Sequence, residues 1–252
     1  MAPRTILTLA VLFLRKQTIF ATTIHQSWLM RLFAYSVSIL FHPLLMLTYI
    51  LIILMLINPY LFGISHISEL NGRILLLRVF VSTFFIPAFA VAMFSFLGLS
   101  SSIQLPKRED RYGPYIVTGL FYLWMFRNFL DNPTIPDLFT SFVLGSVIGL
   151  FLAFLINIFS KISAHAVGMG GMIGMVMLLM FQSDYQLLSF ALPWLGPVQL
   201  NLMLLFLLVL LLSGIVGSAR LYLEAHEPMD LYGGYLVGFT SQLMAARFIL
   251  FS

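Results

Sequence analysis

The chain has 252 residues, of which 61% are hydrophobic and only 9% charged, whereas water-soluble domains carry about a quarter charged residues. With a mean hydropathy of +1.02, this composition excludes an ordinary water-soluble globular protein. The net charge of +4 comes without any Lys/Arg run suited to a nucleic-acid partner, and the absence of cysteine removes disulfides, thiolate metal sites and cysteine nucleophiles.

Taken in chain order, the first apolar run lies between Arg4 and the Arg15-Lys16 pair. It is too short to span a bilayer and reads as an interfacial lead-in. Residues 28–42 are apolar but interrupted by Arg31, Tyr35, Ser36 and Ser38, and the His42-Pro43 pair marks a break. Residues 1–42 are therefore assigned to an N-terminal interfacial or re-entrant segment, and 43–252 to one transmembrane domain. Spans are expected at 43–62, 74–98, 114–130, 137–159, 165–183, 197–217 and 229–251. The fold class is an all-α integral membrane protein, a polytopic helical bundle of about six to seven transmembrane helices; the unbroken apolar runs lack the in/out alternation of a barrel. Gly145-x-x-x-Gly149 and Gly170-x-x-x-Gly174 have the spacing that lets helices approach closely. The glycine-rich run at 168–174 lies inside a span with no preceding strand, so it is assigned to packing rather than to a nucleotide loop.

Three polar stretches at span ends combine cations with reactive side chains: 105–114, 160–165 and 217–230. An even number of spans separates each from the next, which places all three on one membrane face. Together they hold Lys107, Arg108, Arg111, Lys161 and Arg220 as cations, Ser163 as a hydroxyl, His165 and His226 as imidazoles and Asp230 as the nearest carboxylate. Arginine forks bind phosphate oxygens bidentately and lysine adds a point charge, so the implied ligand is a phosphoryl group. His226 and Asp230, four apart on the first turn of the last helix, share a face. A carboxylate on one ring nitrogen fixes the tautomer and leaves the other nitrogen to attack. Against this stands the fact that boundary Lys, Arg and His often only anchor helices in the headgroup layer. His42 and His66, without charged partners nearby in sequence, are assigned to that structural role.

The segment Arg220-x5-His226-x3-Asp230 resembles the third signature of the type 2 phosphatidic acid phosphatase superfamily, S-R-x5-H-x3-D, with Ser218 displaced by Ala219. Ile162-Ser163-Ala164-His165 is similar to its second signature, P-S-G-H, keeping the serine and histidine. Lys107 to Pro114 is loosely similar to the first, K-x6-R-P, with Arg111 or Arg108 in place of the arginine. The three occur in the family's order, and the resemblance covers roughly 74–251.

That resemblance implies a membrane lipid phosphatase working through a phosphohistidine, with no metal and no cofactor. His226 would be the nucleophile, Asp230 its orienter and His165 the acid that protonates the leaving group and then the base for water. Lys107, Arg111, Ser163 and Arg220 would hold the phosphoryl oxygens. The substrate would be a lipid phosphate, a phosphomonoester or diphosphate, met among membrane lipids, with the site on the periplasmic face of a bacterial inner membrane. The same residues leave room for a non-catalytic lipid-phosphate binding or transport protein, or for a phosphotransferase. One neutral and one protonated histidine predict a bell-shaped pH dependence.

Overall fold

The computed structural model describes residues 28–100, 105, 107–182, 187–192 and 196–251. The lead-in between Arg4 and Lys16 lies outside the described residues. The first helix, α1 (Trp28–Leu40), reaches the His42-Pro43 break, where a short 3-10 turn, Pro43–Leu45, leads into α2 (Met46–Ile57). Then come α3 (Leu70–Phe80) and α4 (Ile86–Phe96), joined by a π-helical turn at Val81–Phe85. The π turn is held by its surroundings: the buried Thr83 hydroxyl donates back to the Val79 carbonyl, and the Tyr122 hydroxyl donates to the Thr83 carbonyl.

The remaining helices are α5 (Tyr112–Leu130), α6 (Asp137–Phe159), α7 (Ala164–Gln182), α8 (Leu202–Tyr222) and α9 (Pro228–Ile249). Between α7 and α8 lies an antiparallel hairpin of β1 (Leu187–Leu192) and β2 (Gly196–Asn201), pairing Leu187 with Asn201 and Leu192 with Gly196. This hairpin takes the first residues of the span expected at 197–217, and the helix runs on instead to Tyr222. A guanidinium turned toward the bundle interior does not end a membrane helix as one facing lipid would, so α8 passes through Arg220.

Among the described residues, five stretches are long and apolar enough to cross a membrane: Trp28–Ile57, Leu70–Phe96, Asp137–Phe159, Ala164–Gln182 and Leu202–Tyr222. The protein is an integral membrane helical bundle, and large apolar side chains such as Phe89, Leu207 and Phe248 stand exposed on its outside, where lipid tails take the place of water. Residues 28–42, expected as an interfacial or re-entrant segment, form α1 and the break after it, and α1 packs on α8.

The centre is built by α6, α7 and α9. Both glycine pairs face α9: a Cβ at Gly145 would run into Gln242, one at Gly149 into Ser241, one at Gly170 into the Tyr235 backbone, and one at Gly174 into Gln242. From α9, Gly238 meets the Val167 carbonyl. Small residues on both sides bring the backbones into contact, the usual means of holding helices together in lipid. This close approach fixes the start of α7 against the start of α9, where the polar stretches emerge.

Candidate active site

The chain leaves α8 through a sharp reversal. Glu224 adopts a left-handed conformation with φ of 53°, and the Ala225 N–H reaches back to the Arg220 carbonyl at 3.1 Å, a Schellman-type end without its usual glycine. The reversal returns the chain across the end of α8 and delivers His226 at the entrance to α9. Pro228 occupies the first turn, where its missing N–H costs nothing. Asp230 is then in reach of both neighbours: its Oδ2 accepts from the Glu227 N–H at 3.2 Å and lies 3.2 Å from His226 Nδ1. The Nδ1–H tautomer follows from that bond, leaving Nε2 with its lone pair.

Ser163 caps α7, its hydroxyl oxygen accepting from the Ala166 N–H at 3.4 Å. Its own backbone N–H donates to the Asp230 carbonyl at 3.2 Å. The second and third polar stretches are thus bonded to each other. Arg111, at the start of α5, donates from Nε to the Leu105 carbonyl at 3.0 Å and from Nη1 to the Ile162 carbonyl at 3.2 Å, which brings in the first stretch. Arg108 does something different. Its guanidinium donates to the Ile158 and Phe159 carbonyls at the end of α6, while its own carbonyl accepts from Asn157 Nδ2. Arg108 is a helix cap, and of the two arginines it is Arg111 whose charge acts on His226. Lys107 is exposed, and among the described residues none of the hydrogen bonds that join the three stretches involves it.

His226 is buried, with 8% of its surface exposed. Burial pushes its pKa down to about 4; the Asp230 hydrogen bond works against this, and the nearby positive charges of Arg111, Arg220 and Lys161 add to it. The ring is therefore neutral at physiological pH. Among the described residues, no ion pair gives Arg111, Lys161 or Arg220 a carboxylate within 4.0 Å, and Arg220 Nε is buried with no hydrogen-bond partner. A buried charged donor left unpaired is costly unless an anion completes it.

The second imidazole is held by a part of the chain that sequence reasoning set aside. His165, on the first turn of α7, has Nε2 3.0 Å from the Ser38 carbonyl, and Arg220 Nη1 donates to the Ser38 hydroxyl at 3.3 Å. The His42 ring lies against His165 with centroids 5.5 Å apart. The available signal was the His42-Pro43 pair inside an apolar run, since an imidazole within a membrane helix faces a polar interior. Among the described residues, no cluster of three or more His, Asp or Glu side chains could hold a metal ion. No protein-family model, curated protein or solved structure matches the chain.

Proposed function

We propose that the protein is a metal-independent membrane phosphatase of the type 2 phosphatidic acid phosphatase kind, acting on a lipid phosphate through a phosphohistidine at His226. The observation that carries this reading is the pairing of a buried, neutral, carboxylate-oriented imidazole with Arg111, Lys161 and Arg220, which have no carboxylate partner among the described residues. Cations alone would serve a protein that only binds an anion. An imidazole with Nδ1–H held by Asp230 and Nε2 free is the arrangement a nucleophile needs.

In the reaction, the Nε2 lone pair attacks phosphorus and the bond to the lipid oxygen breaks, its electron pair leaving with that oxygen. Protonated His165 supplies the proton. Neutral His165 then takes a proton from water as the water oxygen attacks phosphorus and the P–N bond breaks, returning the electron pair to Nε2. Asp230 balances the positive charge that appears on the His226 ring, and the three cations balance the phosphoryl oxygens. With Nε2 of His165 on the Ser38 carbonyl, Nδ1 is the atom that carries this proton traffic.

The bundle would cross the bilayer seven times, with α5 and α9 joining the five apolar stretches, since at 19 and 22 residues both are long enough. The site would open at the periplasmic face of a bacterial inner membrane, where a phosphate-bearing headgroup reaches it from the lipid layer. Release of inorganic phosphate from a panel of lipid phosphates, in detergent with EDTA present, tests the reading. Release that His226→Ala abolishes is expected; no release, with headgroup binding untouched by His226→Ala, would establish a binding or transport protein.

A further inference from the structure

The helix break at His42-Pro43 frees the Ser38 backbone carbonyl from its helical partner, and the site uses it. In an uninterrupted helix the Ser38 carbonyl would accept the N–H of His42. Here the His42 N–H turns to the Ile39 carbonyl at 3.2 Å, while the Phe41 N–H keeps its bond to Val37. The Ser38 carbonyl, an orphan of the helix end, meets His165 Nε2 at 3.0 Å. The Ser38 hydroxyl is equally committed. It donates to the Ala34 carbonyl at 2.8 Å, so what it presents to Arg220 is a lone pair.

His42 is fixed on three sides. Its Nδ1 accepts the Leu44 N–H at 3.3 Å, capping the 3-10 turn and setting the Nε2–H tautomer. Its ring is wedged edge-to-face between His165, at 5.5 Å, and Phe84 of the π turn, at 6.2 Å. A histidine at the second residue of a helix has free rotation about its side-chain bonds unless something limits it. At His165 the limits are the Ser38 carbonyl on one ring nitrogen and the His42 ring beside it.

We propose that the break between α1 and α2 is a positioning device for the phosphate site, with Ser38 fixing the reach of Arg220 and His42 holding His165 in its Nε2–H tautomer. The inference rests on the phosphatase reading only in taking the anion to be a phosphoryl group. It assigns a role to a segment that the three signature-like stretches do not include, and it makes α1 part of the site as well as part of an apolar stretch long enough to cross the membrane.

The test uses the full chain in detergent, labelled with nitrogen-15 at histidine, with inorganic phosphate as the probe. His42→Asn keeps a side-chain oxygen for the Leu44 N–H and removes the ring. Ser38→Ala removes the hydroxyl and keeps the carbonyl. At a pH where the His165 ring is neutral, its nitrogens are expected to report a single Nε2–H tautomer in the wild type and a mixture in His42→Asn. Ser38→Ala is expected to weaken phosphate binding about threefold to tenfold, the scale of one hydrogen bond, without changing that tautomer. Should His42→Asn not be recovered folded, Phe84→Leu removes the other side of the wedge and is read in the same way. An unchanged tautomer removes the role of His42, an unchanged phosphate affinity removes that of Ser38, and a wild type that binds no phosphate overturns both. None of these readouts needs turnover, so failure to hydrolyse any lipid phosphate would sink the phosphatase reading alone.

Discussion

Asp230 Oδ2 lies 3.2 Å from His226 Nδ1, and the same oxygen accepts the Glu227 N–H. One carboxylate oxygen therefore starts the last helix and orients the His226 ring, so the two cannot drift apart. Asp230→Asn keeps the size of the side chain but offers an amide that can turn its NH2 toward the ring, which favours the wrong tautomer. Phosphate release is expected to fall by about two to four orders of magnitude with little change in KM. Steady-state kinetics on the purified variant checks this, and a loss within threefold would remove Asp230 from the mechanism.

The depressed pKa of His226 has a consequence for stability with a definite sign. Unfolded, the ring titrates near 6.5; folded, near 4. Between those values the unfolded chain binds the proton and the folded chain does not, so falling pH favours unfolding across that window. Above it the ring is neutral in both states and contributes no slope. Thermal midpoints in detergent from pH 4 to 8 are expected to fall more steeply on the acid side in the wild type than in His226→Gln, which has no proton to gain. The acidic limb of the activity profile is expected near pH 4, where His226 gains a proton and loses its lone pair.

The helical class and the α6 boundaries at Asp137 and Phe159 were legible because length and apolarity decide them. So was the convergence of Arg111, Ser163, His165, Arg220, His226 and Asp230 at one end of the bundle, since counting spans fixes which ends share a face. Long-range backbone contacts were not legible. Nothing local shows that the Ser38 carbonyl meets a histidine 127 residues away, or that His42 reaches the same ring. Arg108 and Arg111 are equally basic on paper, and only the position of the α6 carbonyls separates a cap from a residue of the candidate site.

The contact between α7 and α9 is a second place where one atom decides. A Cβ on Gly238 would strike the Val167 carbonyl and come within 2.7 Å of the Gly171 nitrogen, both backbone and neither free to move aside. Gly238→Ala must push the helices apart, at a cost of about 1–3 kcal/mol by analogy with overpacked cores. The thermal midpoint is expected to drop by several degrees, with phosphate release falling as Ser163 parts from Asp230. Gly233, on the same helix with nothing within 4 Å of an added Cβ, is the control. Gly233→Ala is expected to leave the midpoint unchanged or raise it.

Membrane orientation can be read with single cysteines, because the native chain has none. Glu109 and Asp131 are both exposed and flank α5 at opposite ends. In intact cells, a membrane-impermeant maleimide is expected to label Glu109→Cys and to spare Asp131→Cys until the membrane is opened. The reverse pattern would put the site in the cytoplasm.

The first signature-like stretch supplies the last comparison. Lys107 and Arg111 are both cations that the resemblance would place on the phosphoryl group, yet Arg111 is bonded to the Ile162 carbonyl beside Ser163 and lowers the pKa of His226, whereas Lys107 stands exposed. An exposed ammonium is screened by water and salt, and a half-buried guanidinium far less so. Arg111→Ala is therefore expected to raise KM and lower kcat together, by about tenfold or more in kcat/KM. Lys107→Ala is expected to stay within about threefold at physiological salt, with a deficit that shrinks as salt rises. Kinetics of the two variants at low and high ionic strength separate these outcomes. A Lys107→Ala loss as large as that of Arg111→Ala, and insensitive to salt, would mean that Lys107 closes onto the phosphoryl group when substrate binds.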